Sequence, residues 1–523
     1  MDEAGADWRA IPRDYNAVSD FVDRNVADGR GAKPAFIDPS GSLTYGALQE
    51  RTRRFANALR ARGVAREQRL ALIMLDTRAL PVAFWGALRA GVIPVPLNTL
   101  LTGDQYAYIL ADSRASAAVI AAPLLDKIEP LLKDLPGLKT LFVSDGAAPE
   151  GTIDFEAALA EASPEAPTAA TCRDETAFWL YSSGSTGRPK GVKHLHASPM
   201  HTARLFGQSV LGISEDDVVF SAAKLFFAYG LGNGMSFPMS VGATTVLLPD
   251  RPTPEAVMGV MREHNPSLFY GVPTLYAAML AHPDICAGAG SEKLRLCVSA
   301  GEALPKELGE QWRAKVGADI IDGIGSTEML HIFISNRPGK VAYGASGVPV
   351  PGYRARIVDA EGAEVGDGEI GELLVSGPSA GEGYWNQREK TRTTFAGEWT
   401  RTGDNYRRGE DGLYYYCGRA DDMFKVSGNW VSPFDVESAL LAHEAVLEAA
   451  VVGKEDEEGL LKPKAFIVLK QGYDAGPELL AELKARVKAN AGPWKYPRWI
   501  EVMDELPKTA TGKIQRFKLR ERG

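Results

Sequence analysis

Short, continuous apolar runs alternate with longer helical patterns over most of the chain. Residues 69–75 contain the run LALIML, which is typical of a buried strand, and a helical pattern over residues 79–90 follows it. Gly91 is a helix stop and residues 92–97 are again extended, so this segment predicts a strand-helix-strand unit. Further short strands are predicted between helical segments at residues 141–143, 244–248, 268–270, 294–298 and 319–321. The pattern therefore indicates a large, doubly wound α/β region built of several layers.

The last part of the chain has the pattern of a compact α+β fold. Strands are predicted near residues 449–452 and 465–469, and a helix follows them. That helix begins at Pro477, and the residues predicted to face inward are Leu480, Leu483 and Val487. Residues 161–170, rich in Ala, Pro and Glu, predict an exposed linker. Because 523 residues are too many for one core, we expect a large domain over residues 1–420 and a small domain over residues 421–523.

Composition and charge exclude several classes of protein. Hydrophobic residues make up 45% of the chain and charged residues 24%, which is ordinary for a globular protein. The net charge of -9 argues against a nucleic-acid partner, so an anionic substrate must be held by local positive groups. The first residues lack a signal pattern and no apolar run approaches the ~18 residues of a membrane helix, so we expect a cytoplasmic protein without a membrane partner. No CxxC pair is present, which disfavours a zinc site and a disulfide framework; the four cysteines are Cys172, Cys286, Cys297 and Cys417.

The stretch at residues 181–191, YSSGSTGRPKG, alternates hydroxyls with glycines and closes on a lysine and a glycine. Glycines let consecutive backbone amides point into one concavity, hydroxyls add donors and Lys190 supplies a positive charge, so the stretch predicts a phosphate-binding loop. It is not a Walker A loop, because Pro189 stands five residues after Gly184 and Gly191 follows the lysine. A flexible surface loop is the alternative, since ordinary loops have the same composition. The predicted phosphate-binding residues are Ser182, Ser183, Gly184, Ser185, Thr186, Gly187 and Lys190.

Further segments place glycine turns and polar side chains where apolar runs end. In open α/β sheets, ligands bind at such strand ends, and an aspartate at a turn can accept both hydroxyls of a ribose. The last of these segments presents a lysine on a turn of glycine and threonine. The segments are residues 299–303 (SAGEA), 322–328 (DGIGSTE), 402–404 (TGD) with 418–422 (GRADD), and 507–516 (PKTATGKIQR). Together with the phosphate loop they predict one composite nucleotide site.

The order and spacing of these motifs resemble the adenylate-forming superfamily, which comprises acyl-CoA and aryl-CoA ligases, the adenylation domains of peptide synthetases and firefly luciferase. The resemblance extends over nearly the whole chain. It implies an acyl-CoA synthetase-like fold with a small, mobile C-terminal domain, and it implies ATP, Mg²⁺ and coenzyme A as cofactors. It also implies two steps, in which a carboxylate becomes an acyl adenylate with AMP as leaving group and is then transferred to a thiol.

The resemblance assigns roles to individual residues. Lys513 would lie between the carboxylate and the α-phosphate, Thr327 would donate to the phosphate, and Glu328 would help to hold Mg²⁺. Asp404 and Arg419 would contact the ribose. As structural alternatives, Glu328 could cap a helix and Asp404 could close a turn. The residues implied around the adenine and the phosphates are Gly301, Glu302, Ala303, Asp322, Gly323, Ile324 and Gly325.

The resemblance also implies that the small domain moves. Asp421 matches the hinge position, where one backbone change would swing Lys513 out and bring another face in. Ser427, Gly428 and Trp430 would then line the channel for the pantetheine arm of coenzyme A. A lysine acetyltransferase and a deacetylase are implied as regulators of Lys513, because acetylation removes its charge. The oligomeric state is open, with a homodimer as one alternative.

Residues 221–233, SAAKLFFAYGLGN, give the best indication of the substrate, because they resemble the benzoate-CoA ligase branch. Amino-acid-activating relatives place an aspartate near Ala228, and an alanine leaves no partner for an ammonium group. We therefore expect a flat aryl carboxylate rather than an amino acid. The implied pocket residues are Phe227, Ala228, Tyr229, Tyr270, Ala300, His331 and Ile332. The alternative is that His331 is a core histidine and that the aromatic residues simply pack the core.

The sequence thus predicts an AMP-forming aryl-CoA ligase that acts on benzoate or a substituted benzoate. Hydroxybenzoate, 2-aminobenzoate and cyclohexanecarboxylate stay open, because one polar group or saturation changes binding by only ~1–3 kcal/mol in an apolar pocket. Two other classes are weighed: an enzyme that loads a separate carrier protein, and a catalytically silent nucleotide-binding protein. The joint presence of Lys513, Glu328 and Asp404 disfavours the silent protein.

Overall fold

The computed structural model describes residues 10–182, 188–419, 422–426, 429–508 and 514–522, with residues 429 and 430 described by their backbone alone. Within these ranges, the strands form six sheets. Four sheets precede residue 420 and two follow residue 422, in line with the change of pattern along the sequence. The exact boundary between the two predicted domains stays a prediction.

The largest sheet has nine strands, of which the central six are parallel. From one edge to the other they are Val348–Pro349, Ile332–Ser335, Ile320–Gly325, Leu296–Ser299, Leu268–Gly271, Val218–Ser221, Thr244–Val246, Pro34–Asp38 and Gly41–Thr44. Four of them confirm predicted strands, with ends that differ by a few residues. Because parallel strands end at the same edge, Ser221, Gly271, Ser299 and Gly325 come to one edge of this sheet, where α/β proteins bind ligands.

A second, fully parallel sheet confirms the predicted strand-helix-strand unit. The strand Arg69–Ile73 is followed by the helix Ala79–Ala90, which ends at Gly91 in the left-handed conformation with φ of 77°. Every residue of the helix from Leu80 onward is buried, because it packs between layers and not at the surface. Across the sheet the strands are Ile93–Pro96, Arg69–Ile73, Ala117–Ala121, Thr140–Ser144 and Ile153–Asp154.

Two antiparallel sheets, which the sequence analysis did not predict, complete the first 420 residues. One contains Gly383–Tyr384, Lys190–Leu195 and Thr176–Ser182, and the other contains Arg354–Val358, Gly371–Ser376, Trp399–Arg408, Phe395–Ala396 and Tyr414–Arg419. The α-helices here are Tyr45–Ala61, Ala79–Ala90, Gly103–Ser113, Leu125–Ile128, Phe155–Glu161, Ser198–Thr202, Ala228–Leu231, Phe237–Val241, Pro254–His264, Pro273–Ala281, Lys306–Val316 and Arg388–Thr394. Among the described residues, none of the helices combines the length and the apolar character needed to cross a membrane.

The residues after 422 form the predicted α+β unit with a core of its own. Leu483 and Val487 are buried in that core as predicted, but Leu480 is half-buried and Leu479 packs against the core instead. In the first turn, the core contact is therefore made by Leu479 and not by Leu480, whereas the other two predicted positions are as expected. The strands are Phe424–Val426, Asn429–Val431, Val446–Glu455, Leu461–Leu469 and Trp499–Val502, and the helices are Pro433–Leu441, Pro477–Asn490 and Arg516–Arg520.

The predicted linker at residues 161–170 is largely exposed but is held in place. Asn57 donates to the backbone carbonyls of Ser163 and Glu165 over 2.9 and 2.8 Å. Arg54 donates to the Ala162 carbonyl over 2.7 Å. The segment therefore runs along the first long helix and does not separate two bodies.

Candidate active site

The predicted phosphate loop lies at the end of a β-hairpin. Its strands, Thr176–Ser182 and Lys190–Leu195, are antiparallel, and Ser182 is paired directly with Lys190. This pairing brings the lysine at one end of the loop beside the hydroxyl at the other. Outside the described residues lie Ser183, Gly184, Ser185, Thr186 and Gly187, whose roles stay predictions.

The described ends of this loop are anchored and offer a polar atom. The Tyr108 hydroxyl donates to the Pro189 carbonyl over 3.2 Å, and the Arg188 guanidinium lies 5.2 Å from the centre of the same ring. The Ser182 hydroxyl oxygen is buried and has no hydrogen-bond partner among the described residues. An unpaired buried hydroxyl is costly, so it fits an incoming phosphate oxygen.

Lys190, Glu328 and Tyr384 form a polar cluster beside the hairpin. The Lys190 ammonium donates to the Tyr384 hydroxyl over 3.1 Å, and that hydroxyl donates to Oε1 of Glu328 over 2.8 Å. Lys190 Nζ lies 3.9 Å from the same oxygen of Glu328. Burial lowers the pKa of Lys190 from its usual value, and the carboxylate of Glu328 opposes this change. One tyrosine thus joins the cation predicted to bind phosphate to the carboxylate predicted to hold Mg²⁺.

Sequence reasoning missed Tyr384. It lies in the two-residue strand Gly383–Tyr384, which pairs with the strand that contains Lys190. The Gly381 amide also donates to the Glu328 carbonyl over 2.8 Å, which brings both segments together. These contacts join distant parts of the chain, so no local pattern indicates them. Locally, Tyr384 is an aromatic residue after a glycine, as in many strands.

Asp322 supplies a buried acceptor at the predicted adenine position. It is 5% exposed and its Oδ1 has no hydrogen-bond partner among the described residues. Burial raises the pKa of this carboxyl well above its usual value, although backbone amides at Leu304 and Gly323 oppose the shift. The unpaired oxygen fits a donor such as the exocyclic amine of adenine, so the residues present suit a nucleotide.

The other predicted adenine residues lie on two adjacent segments of the same sheet edge. Gly301 has a φ of 95°, which favours glycine, and it follows the strand Leu296–Ser299. Glu302 and Ala303 continue that turn and are half-buried. Ile324 is half-buried in the strand that contains Asp322.

Gly323 and Gly325 have a packing role that the sequence did not indicate. A Cβ at Gly323 would lie 2.8 Å from the Ile332 side chain, and a Cβ at Gly325 would lie 2.6 Å from the His331 carbonyl oxygen. Both distances are too short for real contacts. Glycine therefore allows the strand Ile320–Gly325 to pair closely with the strand that carries the predicted aryl-binding residues.

Asp404 and Arg419 occupy directly opposed positions on the strands Trp399–Arg408 and Tyr414–Arg419. Arg419 Nη1 donates to Asp404 Oδ1 over 3.1 Å, and the Arg419 side chain is 40% exposed. The Asp404 side chain is 14% exposed, so the pair is partly buried. Gly403 has a φ of 70°, and its missing Cβ would lie 3.2 Å from Arg419. The structure thus places the two residues side by side, and their role at the ribose stays a prediction.

A strained turn separates Glu328 from His331. The Leu330 amide donates to the Thr327 carbonyl over 3.1 Å, and Leu330 has a φ of 66°, in the left-handed region that leucine rarely adopts. Backbone strain of this kind clusters at functional sites. Thr327 is half-buried at the start of the turn. The turn directs Glu328 to the polar cluster and His331 to the apolar interior.

His331 is buried among aromatic rings. Its Nε2 lies 3.3 Å from the Tyr229 carbonyl and 3.0 Å from Asn233 Oδ1, and because a carbonyl can only accept, Nε2 carries the proton. Burial lowers the pKa of His331 to about 3, so the ring is neutral at neutral pH. Nδ1 has no hydrogen-bond partner in the described part of the chain. Ring centres of Phe206, Tyr229 and Phe237 lie 5.4, 5.6 and 4.5 Å away.

The short helix Ala228–Leu231, called the pocket helix below, carries two predicted pocket residues. The Tyr229 hydroxyl donates to the Val298 carbonyl over 2.9 Å, which ties the helix to a central strand of the largest sheet. Ala228 is half-buried and packs against the largest apolar cluster. The helix therefore presents a small side chain from a fixed position.

The remaining predicted pocket residues surround this helix at different depths. Ala300 and Ile332 are buried members of the apolar cluster on which the pocket helix packs. Tyr270 is fully buried, and its ring meets that of Tyr229 edge-on at 6.4 Å. Phe227 is half-buried at the start of the helix. The structure thus brings these residues into one region, with Tyr270 deepest.

Most predicted residues of the small domain fall outside the described residues. Trp430 lies in the strand Asn429–Val431. The hinge and coenzyme A assignments therefore stay predictions. Those outside the described ranges are Asp421, Ser427, Gly428 and Lys513.

The segments on either side of Lys513 are anchored to the small domain. Lys508 and Ile514 form an antiparallel bridge, and Lys508 Nζ lies 2.6 Å from Oε1 of Glu448. After the lysine, Arg516 donates to the buried Glu437 over 2.8 Å. The segment that contains Lys513 therefore begins and ends at fixed points.

Glu328 fits a Mg²⁺ ion that is bound together with phosphate. Mg²⁺ is usually held by one or two carboxylates and by phosphate oxygens of a substrate, and not by a cage made of protein alone. The described residues contain no group of three or more His, Cys, Asp or Glu side chains that could hold a metal by themselves.

Comparison with known proteins identifies the class to which this arrangement belongs. The AMP-binding enzyme family matches residues 23–385, and the AMP-binding enzyme C-terminal domain matches residues 435–513. The chain therefore belongs to the AMP-binding enzyme family. The resemblance to adenylate-forming enzymes is confirmed.

Within that family, similar proteins are aryl-CoA ligases. A 4-hydroxybenzoate-CoA/benzoate-CoA ligase of Rhodopseudomonas palustris is 57% identical over 97% of this chain and 94% of that protein. A benzoate-CoA ligase of Thauera aromatica is 57% identical over 98% of this chain and 96% of its own. The solved benzoate CoA ligase of Burkholderia xenovorans LB400 is 53% identical, with a TM-score of 0.91 over 97% of this chain and 100% of that one. The predicted aryl-CoA ligase branch is thereby confirmed.

Proposed function

We propose that this protein is an ATP-dependent aryl-CoA ligase that converts benzoate or a substituted benzoate, ATP and coenzyme A into the aryl-CoA thioester, AMP and pyrophosphate. One observation carries the proposal. A single hairpin, Ile320–Gly325 with Ile332–Ser335, has the unpaired Oδ1 of the Asp322 carboxyl on one strand and an apolar wall on the other. A ring held at the wall would direct its carboxylate towards the nucleotide. The identity to benzoate-CoA ligases supports this substrate class.

In the first step, the aryl carboxylate would attack the α-phosphorus of ATP in line with the departing pyrophosphate. Two anions must approach each other, so positive charge at the reaction centre is required. Lys190 would hold the β- and γ-phosphates and Lys513 would bridge the carboxylate and the α-phosphate. Mg²⁺, held in part by Glu328, would neutralise phosphate charge. Thr327 would donate to the phosphate.

In the second step, the thiol of coenzyme A would attack the acyl carbon and release AMP. A rotation at Asp421 would remove Lys513 and bring the face at residues 423–431 to the site, as the family resemblance implies. The residues on both sides of Lys513 are anchored to the small domain, so the lysine would move with that domain as one body. This supports a role for Lys513 in the first step alone.

Among the substituted benzoates, His331 favours a hydroxybenzoate or an aminobenzoate. Nδ1 of His331 is an acceptor without a partner among the described residues, and a ring hydroxyl or amine could donate to it. His331→Phe removes this acceptor but keeps a ring of similar size. If a substituent binds there, the variant should lose activity towards the substituted acid more than towards benzoate.

The proposal is tested by assaying the purified protein with benzoate, ATP and Mg²⁺, with coenzyme A, with a carrier protein, or with neither thiol. We expect benzoyl-CoA and stoichiometric AMP with coenzyme A, and slow release of AMP without a thiol. Thioester on the carrier protein alone would favour the carrier-loading alternative. Absence of pyrophosphate release with all aryl acids would refute the proposed function.

A further inference from the structure

A buried carboxylate outside the predicted site holds the segment that leads into the pocket helix. Asp76 follows the strand Arg69–Ile73 and is 4% exposed. Its two carboxylate oxygens lie 3.3 and 3.2 Å from the Leu225 amide nitrogen, which donates to both. Leu225 lies between the strand Val218–Ser221 and the pocket helix. Asp76 therefore fixes the approach to the pocket from the neighbouring sheet.

The same segment is also held at Lys224, the residue before Leu225. Lys224 Nζ donates to the carbonyl of Leu248 and, over 2.7 Å, to that of Asp250. The Lys224 carbonyl accepts from the Phe227 amide over 3.1 Å, immediately before the pocket helix. Lys224 and Asp76 also attract each other electrostatically. The backbone at residues 224 and 225 is thus held from two sides.

The pocket helix packs against this backbone without spare room. A Cβ at Gly230 would lie 2.0 Å from the Lys224 carbonyl oxygen, a distance that real contacts do not reach. On the other side, a Cβ at Gly232 would lie 2.3 Å from Cδ2 of His331. The pocket helix and Gly232, which follows it, therefore lie between the backbone at residues 224 and 225 and the His331 side chain. A displacement at Leu225 would be passed on to Ala228 and Tyr229, since packed backbones do not compress.

We propose that Asp76 is a positioning residue for substrate choice, which sets the distance between the pocket helix and His331 through the Leu225 amide. The proposal rests on the proposed aryl-CoA ligase function. Asp76 is not a catalytic residue, because its contacts are with backbone and not with the predicted substrate atoms. It determines the width of the slot in which a flat ring lies and leaves the nucleotide residues unaffected.

The test compares Asp76→Ala, Asp76→Asn and Gly230→Ala in thioester formation with benzoate and with hexanoate. Asp76→Ala should raise KM for benzoate about tenfold and lower the benzoate-to-hexanoate ratio of kcat/KM by a similar factor. KM for ATP should stay within twofold. Asp76→Asn keeps an oxygen that accepts from the amide, so it should restore most of the ratio. Gly230→Ala should reproduce the loss, because it moves the same helix from the same side.

Asp217 provides the matched control. It is a buried aspartate at the other end of the strand Val218–Ser221, and it accepts from the Ser214 amide over 2.8 Å. Asp217→Ala should lose stability and keep the wild-type ratio of benzoate to hexanoate.

An unchanged ratio in folded Asp76→Ala, or an equal change in Asp217→Ala, would overturn the role of Asp76. If Asp76→Ala does not fold, Asp76→Asn and Gly230→Ala decide the question: a wild-type ratio in Gly230→Ala would overturn it. Wild-type protein that forms no aryl thioester would instead refute the proposed function, and with it the inference. Active wild-type protein with an unaffected Asp76→Ala variant refutes the inference alone.

Discussion

At the nucleotide end of the candidate site, the side chains of Lys190 and Glu328 are 18% and 16% exposed and are joined through Tyr384. At the aryl end, His331 is 3% exposed and lies among aromatic rings. The first end depends on charge and hydrogen bonds, whereas the second depends on close packing. Changes at the nucleotide end should therefore alter the rate with every acid, and changes at the aryl end should alter which acid is used.

The largest effect is expected at the nucleotide end from Lys513→Ala. Loss of a single group that stabilises transition-state charge commonly costs about 10²–10³ in rate, so benzoate-dependent pyrophosphate release should fall at least a hundredfold. Preformed benzoyl adenylate should still be converted to the thioester. Single-turnover assays of the two half-reactions measure the difference. Adenylation at near wild-type rate in this variant would contradict the assignment of Lys513 to the first step alone.

A smaller effect on the same end is expected from Tyr384→Phe, which removes the hydroxyl between Lys190 and Glu328. A hydrogen bond to a charged group contributes ~1.5–3 kcal/mol, so adenylation should slow by tenfold or more with every acid tested. The ratio of kcat/KM for benzoate to that for hexanoate should not change. A changed ratio would show that the two ends are coupled and would contradict their separate roles in rate and in substrate choice.

At the aryl end, Ala228→Phe should fill part of the space that the ring requires. Overpacking costs ~1–3 kcal/mol, so kcat/KM for benzoate should fall roughly tenfold or more while KM for ATP is unchanged. Steady-state kinetics with each substrate varied in turn measures both. Ala228→Gly, which leaves the space open, is the control and should retain activity with benzoate. Wild-type efficiency in Ala228→Phe would remove Ala228 from the pocket wall.

Acid should weaken the folded state through buried histidines, including the one at the aryl end. Burial lowers the pKa of His194 and His331 to about 3 and that of His196 and His201 to about 4. Unfolded imidazoles bind protons below about pH 6.5 and these folded ones do not. Their contribution to stability is therefore fully present above pH 6.5 and is lost as the pH falls towards 4.

Two carboxyls oppose this trend. Burial raises the pKa of Asp76 to about 6 and raises that of Asp322 well above its usual value, so each binds a proton in the folded state before the unfolded state does. Because the four histidines outnumber the two carboxyls, unfolding should take up protons net near pH 5.5, and the free energy of unfolding should decrease as the pH falls. Urea unfolding at pH 7, 6 and 5 measures how steeply the free energy of unfolding decreases. His194→Phe should lower the number of protons taken up on unfolding by about one. A flat free energy of unfolding would contradict neutral burial of the four histidines.

Much of the nucleotide end could be predicted from the sequence, because phosphate binding places glycine, hydroxyl and lysine within a few residues of one another. The strand end at Ser299 was predictable because an apolar run stops there, whereas the strand predicted at residues 319–321 continues to Gly325. Tyr384 could not be predicted. It lies 194 positions from Lys190 and meets it through strand pairing, which no local pattern encodes.

The aryl end was predictable as a set of residues but not as a packed structure. The resemblance identifies Ala228 and His331, yet the reason for Gly230 becomes visible once the Lys224 carbonyl is seen against it. Asp76 lies 149 positions from Leu225, so its contact is equally hidden. Periodicity also chose Leu480 over Leu479 in the helix Pro477–Asn490, because two leucines are adjacent there and tertiary contacts decide which one packs against the core.

A panel of acids tests most directly whether the aryl end is a slot for a flat ring. Benzoate, 4-hydroxybenzoate, 2-aminobenzoate, cyclohexanecarboxylate and hexanoate are compared by kcat/KM in AMP release that depends on coenzyme A. Benzoate or a substituted benzoate should exceed hexanoate by at least tenfold, with the saturated ring between them. A preference for hexanoate over every aryl acid would contradict the aromatic pocket and leave an acyl-CoA ligase of another specificity.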